Sequence, residues 1–146
     1  MSVLKVVTIG DPILREKAIT VKNFNKNLSK LIDNMVETMA EYDGVGLAAP
    51  QIGIPKRVVV IDVGDGLIEL INPEIIETKG EQIGQEGCLS VPGKYAEVRR
   101  SKYAKVKAQD RTGKEFIIDG EDLLARAFLH EVDHLNGILF VDKIDN

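Results

Sequence analysis

The chain contains one cysteine, Cys88, and two histidines, His130 and His134. These are its only thiol and imidazole groups. The histidines belong to His130-Glu131-Val132-Asp133-His134, an HExxH sequence. Residues four apart on a helix share a face, so both imidazoles can reach one ion. Glu131 stands about 100° around such a helix from His130. It leans toward the open side of the ion as a base, without being a ligand itself. Three protein ligands and one open position make a catalytic metal site. Downstream of His134 only Asp142 and Asp145 offer a third ligand. Cys88 is the better candidate, because a thiolate binds borderline metals strongly and the metal keeps it deprotonated. A lone cysteine is most often a small buried apolar residue. Here Glu86 and Ser90 make its flanks polar, Gly87 leaves backbone open, and Pro92-Gly93 read as a turn.

These side chains need a scaffold. Residues 10–17 read as a turn and a short helix, with Pro12 tolerated in its first turn. In residues 27–41, Leu28, Leu31, Ile32, Met35 and Met39 recur at helical spacing opposite Lys30, Asp33, Asn34 and Glu37. That pattern predicts an amphipathic helix ending near Asp43-Gly44, with Gly44 as its C-terminal cap. Residues 44–55, GVGLAAPQIGIP, are glycine-rich yet almost uncharged, as in a loop packed against a ligand. Residues 57–63 and 67–71 predict strands around Gly64-Asp65-Gly66, and residues 73–78 a third. Residues 104–109 and 115–119 alternate about a turn at 110–113, which predicts a hairpin. A last helix starts after Gly120, with Glu121 and Asp122 at its positive end, and stops at Gly137. Residues 138–141 read as an edge strand. Helix, several strands, helix predicts an α+β class with mainly antiparallel sheet.

Composition sets the bounds. At 146 residues a single domain over 1–146 is expected, large enough for a real core. With 19 Lys+Arg against 23 Asp+Glu the net charge is −4, which argues against a phosphate-backbone binder. Absence of Trp, with three Tyr and four Phe, argues against a base-stacking platform, so no nucleic-acid binding is expected. One cysteine excludes an intramolecular disulfide. The N-terminal residues lack a continuous apolar h-region and no stretch approaches a membrane span. A soluble, cytoplasmic monomer is expected.

Three separated motifs then stand in order: GVGLAAPQ at residues 44–51, EGCLS at 86–90 and HEVDH at 130–134. With GDPILR near the N-terminus, they make the chain resemble the bacterial-type peptide deformylases over nearly its whole length. The resemblance implies antiparallel sheets packed around a central helix that carries the HExxH. It implies one divalent metal held by Cys88, His130 and His134 with water as the fourth ligand. Iron(II) is the expected ion, with zinc, nickel or cobalt able to replace it. It makes Glu131 general base and acid, and places the Gln51 side-chain amide and the Leu89 backbone N–H on the oxyanion. Backbone around Val45, Gly46 and Gly87 is expected to pair with an extended peptide. The absence of a Cβ at Gly46 lets that backbone come close. The implied substrate is the N-terminal formyl-methionine of nascent polypeptides at the ribosome, and the products are formate and a free amine. Val45, Leu123, Ala127 and the His130 ring are expected to wall the methionine pocket, beside Arg126, where an apolar residue is expected. One of Arg99 and Arg100 is expected to pair with Asp133 or Glu86. An HExxH endopeptidase is disfavoured by the lack of a third ligand downstream. A structural metal module is disfavoured because it has no need of a base.

Overall fold

The computed structural model describes residues 2–144. Helix α1 (Lys26–Glu41) starts at Asn25, whose side chain accepts from the Leu28 N–H at 3.1 Å. Strands β1 (Gly46–Ala48), β2 (Val58–Ile61), β3 (Ile68–Lys79), β4 (Gln82–Cys88), β5 (Val91–Arg100), β6 (Tyr103–Gln109) and β7 (Glu115–Glu121) follow, and then helix α2 (Asp122–Leu135). One sheet has the order β1-β2-β3-β6-β7, and β4 and β5 form a separate ribbon. Every ladder between strands is antiparallel. The fold is therefore α+β with antiparallel sheets.

The two helices cover opposite faces of the five-stranded sheet, because strand side chains alternate. Val58, Val60 and Ile71 pack with Leu28, Ile32 and Met35 of α1. Val59, Ile61 and Leu70 pack with Ala125, Phe128 and Leu135 of α2. Buried on both faces, β2 is apolar throughout, not alternating. The ribbon makes a third cluster, in which Val91 and Val98 meet Phe140.

Both helices, the Gly64–Gly66 turn and the β6–β7 hairpin stand where the periodicity puts them. Residues 10–17 contain a single turn, Pro12–Arg15, capped by Asp11. Other readings need correction. Residues 67–71 and 73–78 are not two strands but parts of β3, bent at Asn72, which sits at φ 53°. Its side chain bonds Val21 and Gln109, which secures the irregular register there. The turn after Cys88 is at Leu89-Ser90, and Pro92-Gly93 lie within β5. The left-handed residue after α1 is Asp43 (φ 54°), not Gly44. Residues 138–141 form no edge strand. The segment turns at Phe140–Lys143, and Ile144 alone bridges to Val98. Among the described residues, no helix is long and apolar enough to cross a membrane.

Gly137 ends α2 at φ +75°, and a Cβ there would stand 2.5 Å from the Arg15 carbonyl oxygen. Gly53 has a similar φ of +81° but open space around it. Gly137→Ala is therefore expected to cost about 3 kcal/mol, from left-handed strain plus a backbone clash, and Gly53→Ala about 1 kcal/mol. Urea unfolding of the two variants measures the difference, and equal losses would remove the clash from the account.

Candidate active site

Helix α2 sets His130 and His134 one turn apart, and the end of β4 brings Cys88 to them. The Cys88 Sγ lies 3.2 Å from His134 Nε2. The ligand atoms of Cys88, His130 and His134 all lie within 4.8 Å of one another. Ligand atoms on one ion, at about 2.0–2.3 Å from it, stand roughly 3–4 Å apart, so the three residues fit a single ion. The surroundings fit as well. Burial, then nearby His130 and Arg100, hold His134 well below its ordinary range, in the neutral form that binds metals. Burial works to lower His130, but Glu131, Cys88 and Glu86 outweigh it and raise it to about 10. Those groups favour positive charge at this point, which a divalent cation supplies. Downstream, Asp142 is taken by Arg15 and the Leu139 N–H, and Asp145 lies outside the described residues.

Glu86, beside Cys88 in the sequence, is the centre of a buried charge network. Its carboxylate is 5% exposed and faces three cationic or donor side chains. Arg100 donates from Nε and Nη2, each at 2.9 Å. Arg126 donates to Oε2 and to the Val98 carbonyl. His130 Nδ1 lies 2.8 Å from Oε1. A carboxylate only accepts, so Nδ1 carries a proton, and Nε2 is the nitrogen that would face a metal once the ion takes the place of its proton. Arg100 also donates to Asp133 at 2.6 Å, so one arginine pairs with both acids, while Arg99 pairs with Glu81. Burial pushes the Glu86 carboxyl up, but Arg100 and His130 outweigh it and take it from 4.5 to about 2. Arg126 stands at an expected apolar position because its guanidinium is needed here. The missing Cβ of Gly84 makes room for it, with Arg126 Nη2 3.1 Å from where that atom would be.

A cavity of about 430 Å³ opens beside these groups. Val45, Leu123, Ala127 and His130 line it, together with Gly46, Gln51, Gly87, Leu89, Glu131 and Arg126. Cys88 also lines it, whereas His134, 1% exposed, is not on its wall. Gln51 is held at both ends of its amide. Its Oε1 accepts from the Ala48 N–H at 2.9 Å, and its Nε2 donates to Ser90 Oγ at 3.1 Å and faces Cys88 Sγ at 3.5 Å. Ser90, a polar flank of Cys88 in the sequence, is fully buried as Gln51's support. The cavity lies between two unpaired strand edges. β1 is the first strand of its sheet and, among the described residues, β4 pairs only with β5. Asp62 N–H donates to the Val45 carbonyl at 2.9 Å. By antiparallel alternation, Gly46 then turns its N–H and C=O to the open edge.

Glu131 is almost completely buried, and its Oε1 has no hydrogen-bond partner. Burial above all, with Glu86 and Asp133 adding to it against His130 and Arg100, raises its carboxyl from 4.5 to about 7.

The Glu86 pairing predicts a pH signature. Its folded value of about 2 lies below the ordinary 4.5. Its stabilisation is therefore full above about pH 4.5 and is lost as pH falls through about 2. Glu86→Gln removes the carboxylate that Arg100 and Arg126 share, leaving Arg100 with Asp133, and is expected to cost about 3 kcal/mol near pH 7. The gap to the unmodified chain should narrow below pH 4. A gap in urea midpoints that stays constant down to the lowest measurable pH would mean that shape, not charge, is what Gln loses.

Residues 3–146 match the family model described as Polypeptide deformylase. The peptide deformylase of Carboxydothermus hydrogenoformans is 62% identical over 146 residues, covering all of this chain and 96% of that one. That of Heliobacterium modesticaldum is 59% identical, covering all of this chain and 97% of its own. The crystal structure of peptide deformylase from Thermotoga maritima matches at a TM-score of 0.98 and 47% identity over the full length of both chains. The peptide deformylase from Synechococcus elongatus, solved in complex with actinonin, matches at 0.95 and 44%, covering 98% of this chain and 79% of that one. Similarity of this extent, over the motifs and the fold alike, means that the chain belongs to the polypeptide deformylase family.

Proposed function

We propose that this chain removes the N-formyl group from the formyl-methionine terminus of nascent polypeptides, as a metal-dependent amidohydrolase. The observation that carries the reading is a three-ligand cluster, Cys88 and His130 of which line the cavity, meeting a buried carboxylate and a fixed amide between two open strand edges. Cys88, His130 and His134 would hold one divalent ion, iron(II) in this reading, with zinc, nickel or cobalt able to take its place. Such an ion supplies Lewis-acid chemistry, lowering the pKa of water and polarising a carbonyl.

The remaining steps belong to the protein. An extended peptide enters between β1 and β4, pairing with the backbone of Val45, Gly46 and Gly87. The methionine side chain enters the cavity walled by Val45, Leu123, Ala127 and the His130 ring. Glu131 accepts a proton from the attacking water at its carboxylate, then passes it to the departing amine. A carboxyl raised to about 7 can do both near neutral pH. The Gln51 amide and the Leu89 N–H donate to the oxyanion as it forms at the formyl carbon. Bond cleavage leaves formate and a free α-amine. The reading includes α2 as the central helix of a single domain over residues 1–146. It also includes a cytoplasmic monomer that meets its substrate at the ribosome and has no nucleic-acid site of its own.

Formate release from formyl-Met-Ala-Ser tests the reading directly. Cleavage of an internally quenched peptide with no formate release would point to an endopeptidase instead. Glu131→Gln is expected to abolish turnover with metal content unchanged, and Cys88→Ala to lose metal and turnover together. Gln51→Ala is expected to lower kcat about 100-fold, equivalent to about 3 kcal/mol. A raised KM with kcat intact would make Gln51 a binding group only.

A further inference from the structure

Gly46 presents its Cα to the side chain of Glu131. A Cβ there would stand 2.5 Å from Glu131 Oε2 and 3.0 Å from both its Cδ and its Cγ. Real methyl groups do not approach so closely, so one of the two side chains must move. Glu131 is 4% exposed with Oε1 buried as well, so the room open to its carboxylate is the cavity that it lines. The φ of Gly46 is not positive, so its backbone conformation suits alanine. Close approach, not backbone freedom, is what demands glycine here.

The other half of Gly46 faces elsewhere. Its N–H and C=O turn to the open edge of β1, away from β2. A methyl group at this position leaves both polar groups in place. An edge for peptide pairing and a surface for the carboxylate are thus distinct properties of one residue, and a substitution separates them.

Resting on the deformylase reading, we infer that Gly46 is a positioning residue for the general base. The space of its absent side chain is the seat that holds the Glu131 carboxylate against β1. Alanine there displaces the carboxylate by a large part of an ångström, within a cavity where proton transfer needs hydrogen-bond distance.

The test uses the metal-loaded, full-length chain. Gly46→Ala should lower kcat on formyl-Met-Ala-Ser about 100-fold, with KM within about threefold and metal content unchanged. A raised KM with kcat preserved overturns the inference, since Gly46 then serves the peptide alone. A stability cycle asks the same question without activity. Gly46→Ala should lower Tm by about 5 °C in the unmodified chain. In combination with Glu131→Ala, which empties the seat, it should lower Tm by less than about 2 °C. Equal falls in both backgrounds overturn the inference. Absence of formate release from the unmodified chain overturns the functional reading instead, and the stability cycle still decides the seat.

Discussion

The buried carboxylate of Glu86 joins the ribbon that carries Cys88 to the helix that carries His130 and His134. Arg100 and Glu86 come from the two strands of the ribbon, and Arg126, His130 and Asp133 from α2. Two guanidiniums and two carboxylates balance, so the charge is tolerated in a dry interior. A network of this kind adds little net stability over a well-packed apolar core, but loss of one member leaves the others uncompensated. What it does provide is geometry. It holds the His130 ring in one tautomer and brings the end of β4 against α2, and the distances within the ligand cluster follow from that.

The second constraint is the density of the cavity wall. At several glycines the volume of the missing side chain is filled by a neighbour that faces the cavity. A Cβ would meet Leu89 Cδ1 at 2.9 Å from Gly44, Glu131 Oε2 at 2.5 Å from Gly46 and the Tyr95 ring at 2.5 Å from Gly87. Tyr95 is an exposed ring, but the buried Glu131 laid on bare backbone is held close to one place, which suits a site whose groups must be in position before substrate arrives. The Gln51 amide is fixed by other means, its oxygen by Ala48 and its nitrogen by Ser90. Glu131 differs from these groups. Its Oε2 packs against Gly46 and lies 3.9 Å from His130 Nε2, while its Oε1 has no partner among the described residues. Burial outweighs the nearby His130 and Arg100 and raises its pKa toward neutrality.

Local periodicity was enough to place α1, α2 and the β6–β7 hairpin, because each is stabilised first by residues a few positions apart. Leu28, Leu31, Ile32 and Met35 define one helix face by themselves, and HExxH on a helix already put two imidazoles and a carboxylate near one point. The spacing of Cys88 from His130 carries no such information, and only tertiary packing brought the thiol within reach. Strands β4 and β5 were not legible either, since Gly84, Gly87 and polar residues interrupt any apolar alternation and their pairing is what makes them strands. β3 reads as two segments because the bond partners that hold its bend at Asn72, Val21 and Gln109, are 51 and 37 residues away. Glu86 showed its residue type but not its partners, which lie 14, 40 and 44 residues off. Residue types determined which chemistry this chain can perform. Which of them meet was decided by the fold, because ion pairs and close approaches between distant segments exist only once the chain has closed on itself.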